Sequence, residues 1–454
     1  VTRIPPLRLA SPLLTLALCV GPLAACTGDD GNDEAAESES DSDGDPQWPM
    51  AQSEVEREPD PQPTQPEIAS IAEDQLALAL DFYHALRVLP DLSDEGFSVS
   101  SYSVSAAFGM LYGGTTGQSR DEMESTLHFS LGDERQHIAH NWLDSQLAAR
   151  NLEGVESPDA MLDPVVLQTA NGVWMSEHLA GDINPDYLDL LARHYGTGIR
   201  LADFMTNPEG ERERINLWVS NRTNTLIPAL LPPQVIEDTT VMVLVNALYL
   251  KAPWDVQFEE DWTGKAPFTR LDASTVDVDM MHNPAMFGRY GAGEGYSAFA
   301  APLRGGALEL VFVVPDDFAS FEAALDQPTL ASVMASLEYT AVDTFVPRFE
   351  LDSAFELSVL LRDELGMPSP FSDDNSFDLI VPDLGIITDV IHKTVIKVDE
   401  NGTEAAAATA IVVGEDGGDE PFVEAEFRAD KPFLLMIRDA PTQSVLFFGR
   451  VLEP

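Results

Sequence analysis

Cysteine is nearly absent from this chain, with two residues in 454, Cys19 and Cys26. Two thiols cannot build a disulfide framework or a thiolate metal cluster. Cations are scarce as well: 25 Lys and Arg stand against 77 Asp and Glu, for a formal charge of -52 at pH 7. So anionic a surface repels phosphate backbones and sulfated polysaccharides, which argues against nucleic acid and heparin-like polyanions as partners. Catalytic signatures are missing too. The chain has no H-E-x-x-H, no G-x-x-x-x-G-K-[ST] and no G-x-S-x-G, so neither enzyme activity nor a metal or cofactor is expected. Gly291 to Gly295 lacks the third glycine of a dinucleotide loop, and Ser372 to Asp378 lacks the glycine and closing glutamate of a calcium loop. His137 and His140, three apart, are expected on the solvated face of a surface helix. Apolar residues are plentiful, 44% of the chain, enough for one large or two ordinary globular domains.

The N-terminus divides from the rest by composition. Arg3 and Arg8 precede an apolar run from Leu9 to Val20, about half the length that spans a bilayer as a helix, and small residues follow. This pattern predicts an export signal over residues 1–25. Leu23-Ala24-Ala25-Cys26 resembles the bacterial lipobox, which implies a lipid on Cys26, cleavage just before it, and attachment to a bacterial membrane on its periplasmic or outer face. If the lipobox is not used, the product is secreted. Residues 27–67 carry fourteen acids and one base, Arg57, among Ser, Gly and Pro. That composition predicts a disordered acidic tether over 26–67, because so little apolar surface cannot offset ordering entropy. Some forty flexible residues reach roughly 35 Å.

From Ile68 onward the pattern is globular. Ile68, Ala72, Leu76, Leu80 and Tyr83 share one helical face, and Ser103 to Tyr112 runs apolar up to Gly113-Gly114. Val241 to Leu250, Leu308 to Val314, Pro432 to Ile437 and Val445 to Phe448 read as strands. The first of these is apolar almost without alternation, as in a strand covered on both faces. With no repeat and no linker, residues 68–454 read as one α+β domain.

The informative stretch begins at Glu400 and runs Asn-Gly-Thr-Glu-Ala-Ala-Ala-Ala-Thr-Ala-Ile-Val-Val to Val413, followed by an acidic tract from Gly414 to Glu420. Extended, it places Thr403, Ala405, Ala407, Thr409, Ile411 and Val413 on one face, all small or apolar, with Glu404 on the other. Such a segment can slide into the middle of a sheet. Lys393 to Thr409 resembles the serpin hinge region, here Glu400, Gly402, Thr403, Glu404, Ala405, Ala406, Ala407, Ala408 and Thr409. Phe427 to Phe433 and Leu446 to Val451 resemble the serpin C-terminal signature. Asn171 to Trp174, Ile215 to Trp218, Leu231 to Pro233, Leu244 to Lys251, Val346 to Phe349 and Leu365 to Met367 follow in serpin order.

The resemblance implies about nine helices around three sheets, with a reactive loop over residues 400–426. It implies a monomeric suicide inhibitor of serine or cysteine proteases. The protease attacks the loop as substrate, and the cut loop inserts as a new strand of the large sheet, dragging the acylated enzyme along. Ten or so new ladder bonds at roughly 1 kcal/mol each drive a one-way change from a metastable fold. It also implies a polar cluster under the sheet from Ser100, Ser103, Asn246 and His392, and a cluster at the sheet top from Trp174, Arg348 and Glu400. Ser101 stands where the family carries proline. Counting from Gly402 places the scissile bond at Asp416-Gly417, the alternative being Val413-Gly414. With no Lys or Arg between Thr403 and Phe427, the target is expected to be elastase-like or specific for acidic residues rather than trypsin-like. The second reading is a non-inhibitory binding or structural protein of serpin fold.

Overall fold

The computed structural model describes residues 44–157, 160–372, 376–403 and 423–454. Helix α1 (Gln65–Arg87) starts where the apolar spacing predicts, with a capping box between Thr64 and Glu67 and a proline in its first turn. Helix α2 (Ser101–Tyr112) is buried along its whole length and stops at Gly113. Eight α-helices and one π-helical segment, Leu360–Glu364, occur among the described residues.

The large sheet has seven strands: β1 (Met50–Ala51), β2 (Val166–Ser176), β3 (Ile199–Ala202), β4 (Met242–Pro253), β5 (Phe349–Glu356), β6 (Ile391–Asp399) and β7 (Gly402–Thr403), in the order β1-β3-β2-β4-β7-β6-β5. A second sheet of nine strands contains Leu308–Pro315, Phe433–Asp439 and Val445–Val451, each extending a predicted run by one to three residues. Its 19-residue strand Thr275–Gly293 pairs along one half with Gly264–Thr269 and along the other with Tyr296–Pro302. The second and third sheets of the expected layout are therefore continuous, and a two-stranded ribbon stands apart. The resulting architecture is α+β, with α1 and α2 packed against the strands of both sheets around a core that includes Phe82, Tyr83, Phe97, Phe108 and Phe448.

The structure corrects the extent of the tether. Residues 45–64 lie on the body rather than free of it. Trp48 is 8% exposed, packs edge to face on Trp174 at 5.5 Å, and donates its indole N–H to Glu211 at 2.7 Å. Beyond it, β1 adds to the edge of the large sheet, Met50 opposite Arg200 and Ala51 opposite Ile199. Arg57 then pairs with Asp144 on helix α3 (Asp133–Ala148), and Glu58 N–H donates to the Arg193 carbonyl on helix α4 (Pro185–Tyr195). Composition misled here because one tryptophan and one exposed sheet edge suffice to fix a polar segment. Residues 1–43, with the expected export signal and Cys26, lie outside the described residues.

A second correction concerns α3. His137 and His140 are 1% and 4% exposed, not solvated. The helix turns a polar inner face, Gln136, Asn141 and both histidines, toward α2 and α4, and each histidine there has a hydrogen-bond partner, Tyr195 for His137 and Ser105 for His140. Apolar periodicity carries no signal for a helix buried on its polar side.

Candidate functional site

The hinge occupies one seam of the large sheet. After β6 the chain turns through Glu400 and Asn401 and reverses as β7, which pairs on one side with β6, Thr403 opposite Val398, and on the other with β4, Thr403 opposite Ala252 and Gly402 opposite Pro253. Among the described residues β4 and β6 pair with β7 and not with each other. A cavity of about 10 Å³ lies there, between Leu250 of β4 and Val395 to Lys397 of β6, with Ile437 and Phe447 on its wall. A larger one of about 550 Å³ separates β5 and β6 from the segment Asn224 to Pro233 that follows helix α5 (Pro208–Arg222).

Each hinge position has a local reason. Gly402 has a φ of +143°, and a Cβ there would stand 2.2 Å from the Ala252 carbonyl oxygen, so only glycine fits. The Thr403 hydroxyl accepts from Ala252 N–H at 3.1 Å and donates to Ala252 O at 3.3 Å, and the residue is 2% exposed. Glu400 is buried and receives Arg348 Nε on both oxygens at 2.8 Å, with the Thr263 hydroxyl as a further donor. Burial pushes the Glu400 carboxyl up, but Arg348 and Thr263 outweigh it and hold the group below its ordinary value. The expected pairing of Arg348 with Glu400 is thus present.

Trp174 is not part of it. Strand β2 runs antiparallel to β4 and places Trp174 opposite Val243, whereas the hinge meets Pro253. Ten residues of strand separate them, roughly 33 Å. Trp174 instead packs between Trp48, Trp218 and Arg200. The tryptophan at the hinge is Trp254: its indole donates to Asp399 O at 2.8 Å and its backbone N–H to Asn401 O at 3.0 Å. Phe258 adds an edge-to-face contact at 5.7 Å and a backbone bond to Glu400 O. The signal was three residues past the Leu244 to Lys251 run, in Pro253-Trp254.

Under the sheet, Ser100 N–H donates to His392 Nε2 at 3.1 Å, and Ser100 Oγ caps α2 by accepting from Ser103 N–H at 3.1 Å. Burial pushes the His392 imidazole down to about 4, so it is neutral and can accept. Ser98 and Thr394 exchange a hydroxyl bond at 2.7 Å beside it, and Ser98 N–H donates to Ser353. Asn246 is held elsewhere. Its amide donates to Asn171 of β2 and its Oδ1 has no partner. Sequence reasoning missed Ser98, Asn171, Ser353 and Thr394, ordinary polar residues whose role is visible only once the strands are placed.

Glu404 to Thr409, Val413-Gly414 and Asp416-Gly417 lie outside the described residues. The chain is described again from Val423, and β8 (Ala425–Arg428) pairs in parallel with Glu338–Pro347 of the second sheet. The segment between therefore leaves one sheet and returns to another.

A family model described as Serpin (serine protease inhibitor) matches residues 73–454. Leukocyte elastase inhibitor A of Rattus norvegicus is 31% identical over 398 residues, covering 83% of this chain and 97% of that protein. Antithrombin-III of Homo sapiens is 28% identical over 398 residues, covering 86% and 83%. The solved structure of tengpin, a thermophilic serpin in the native state, has a TM-score of 0.71 at 23% identity, covering 88% of this chain and 96% of that one. Uncleaved ovalbumin has a TM-score of 0.72 at 24% identity, covering 85% and 100%. These two likenesses concern the fold alone.

Proposed function

Because the chain belongs to the serpin family, we propose that it is a suicide inhibitor of serine or cysteine proteases, acting by loop cleavage and insertion into the large sheet. The observation that carries this reading is the seated start of the insertion: β7 is already bonded on both sides, between β4 and β6. The residues after β7 are suited to continue it, with no proline and no inward charge from Thr403 to Val413. The scissile bond on this reading is Asp416-Gly417, with Val413-Gly414 as the alternative, and the target accepts an acidic or small apolar residue. Heparin-like polyanions and nucleic acid are not expected as partners, since the charge of -52 disfavours both.

Export and a lipid on Cys26 complete the proposal. The chain already contacts the body at Asp45, through Asn221 and Arg222, so on this reading less of it is left as a tether than composition suggested. Replacing Cys26 with serine releases the protein into the soluble fraction if the lipid is the anchor, and changes nothing if it is not.

The inhibitory claim is tested by incubating the chain with an elastase-like protease and with one specific for acidic residues. A denaturant-stable covalent complex, with a cut mapped by mass spectrometry between residues 411 and 420, supports it. Cleavage of the loop with full recovery of protease activity favours the non-inhibitory alternative.

A further inference from the structure

Among the described residues only three aromatic side chains are exposed, Trp262, Phe287 and Tyr339, at 50%, 43% and 71%. All three lie on one face of the second sheet. In strand Glu338–Pro347 the residues Tyr339, Ala341 and Phe345 fall at even spacing and share that face, opposite Arg289, Phe287 and His282 of strand Thr275–Gly293. Between them Val342 stands opposite Met286 and Thr344 opposite Asn283, so the longer strand carries one extra residue. That bulge brings both His282 and Phe287 to the outer face, although an odd number of residues separates their sides in an unbroken strand.

The face is an aromatic band. The Phe287 and Tyr339 rings stack at 6.1 Å, His282 stacks on Phe345 at 4.2 Å, and Trp262 lies 6.3 Å from His282. From Phe345 to Tyr339 the strand covers about 20 Å. A single exposed apolar residue needs no explanation, whereas a row of rings has the composition of a binding surface. Its rim is acidic. Glu259, Glu260 and Asp261 lead into Trp262, Glu338 precedes Tyr339, and Glu424 accepts the Thr340 hydroxyl at 2.9 Å; all five acids are exposed.

The loop returns to the body at this band. Val423 is 38% exposed, and Glu424 N–H donates to Ala341 O at 3.2 Å. With cleavage at Asp416-Gly417, the chain from Gly417 to Val423 spans at most about 22 Å, and from Gly414 on the alternative about 32 Å. The other arm, from Thr403 to Asp416, allows about 47 Å. The shorter arm sets the position of an attacking enzyme. A protease domain of about 230 residues has a radius of gyration of about 17 Å, so the face around its cleft is brought within reach of the band.

We propose that this aromatic band is a docking surface for the protease that attacks the loop, meeting a basic and apolar rim beside that enzyme's cleft. The choice of partner rests on the inhibitor reading given above. Selectivity then comes from the body of the protein as well as from residues 411–420, because a protease whose pocket accepts the loop but whose rim is acidic is repelled.

The test uses the full chain and two proteases, one elastase-like and one specific for acidic residues, each with its active-site serine replaced by alanine so that binding is read without acylation. Dissociation constants are compared for the unsubstituted chain, Tyr339→Ser and Trp262→Ser. Each substitution is expected to weaken binding of the protease that cuts the loop about tenfold. Thermal unfolding of the free protein should change little, since both side chains are exposed. Radical footprinting of the unsubstituted chain is expected to show Trp262, Phe287 and Tyr339 protected by that protease, which decides the matter even if a variant folds poorly. Equal dissociation constants for the three chains, no protection, or no binding by the unsubstituted chain overturns the proposal. So does a self-associating chain that Tyr339→Ser returns to monomer, since the band then serves a second copy. Active protease separates this outcome from the proposed function: binding through the band with no covalent complex leaves the docking surface in place and sinks the suicide-inhibitor reading.

Discussion

Trp48→Ala separates a docked N-terminal segment from a free tether. Trp48 is 8% exposed and sits between Trp174, 5.5 Å away, and the Arg214 guanidinium, 4.5 Å above its ring. Burying about 200 Å² of tryptophan is worth roughly 5 kcal/mol at 25 cal/mol per Å². The edge position lets water refill the site, so the lower end of the measured range for Trp→Ala, about 3 kcal/mol, is expected. The indole donor lost to Glu211 is compensated in part, because Arg214 still bonds that carboxylate at 2.6 Å. A segment that opens about 3 kcal/mol more easily is cut about a hundred times faster where reclosing outruns cleavage. Limited trypsin digestion at Arg57, followed by mass spectrometry, reads this directly, and the denaturant midpoint falls with it. If the variant is cut at Arg57 within threefold of the wild-type rate and its midpoint is unchanged, the contacts around Trp48 do not hold the segment.

Other outcomes rest on the seam and on the buried polar groups. Gly402→Ala places a methyl group 2.2 Å from Ala252 O and expels β7 from the sheet; the ratio of inhibitor consumed to protease trapped is expected to rise at least about tenfold, a barrier change of about 1.4 kcal/mol. Ser101→Pro is expected to stabilise by about 1 kcal/mol, because Ser101 opens α2, where proline is favoured, and its buried hydroxyl has no partner. Acid unfolding is expected to be steep. His140 and His392 titrate near 4 in the fold and near 6.5 when unfolded, so the unfolded chain binds more protons between those values. Stability is full above about pH 6.5 and falls by up to about 1.4 kcal/mol per pH unit for each histidine down to about pH 4. Equilibrium or kinetic unfolding across that range checks the slope, and His392→Gln should remove one histidine's share.

How much of this was legible in the sequence depended on whether a residue acts through its neighbours in the chain or across the fold. Helix α1, helix α2 and the strands around Val241, Leu308 and Val445 were readable from local spacing. The Arg348 and Glu400 pair was readable from the family resemblance. Trp174 was misplaced because strand direction, not sequence order, decides which end of β2 meets the hinge, and Trp254 was overlooked for the same reason. Asn246 sits one strand away from His392 and bonds within β2 and β4. The N-terminal segment failed differently: average composition weighed fourteen acids against one tryptophan, and the tryptophan decided the outcome for residues 45–64. His137 and His140 were misjudged because a helix that buries its polar face looks exposed by pattern alone.

The central claim is that the loop, once cut, becomes a strand of the large sheet. Cutting within residues 404–422 and comparing the thermal unfolding of nicked and intact protein tests it most directly. Insertion of about ten residues adds on the order of 10 kcal/mol, which corresponds to a rise of roughly 12 °C for a domain of about 400 residues, at about 2.1 cal/mol/K of unfolding entropy per residue. A nicked protein that unfolds about 12 °C higher, with the cut loop protected from further digestion, is the predicted result. Nicked and intact proteins that unfold at the same temperature would contradict the account.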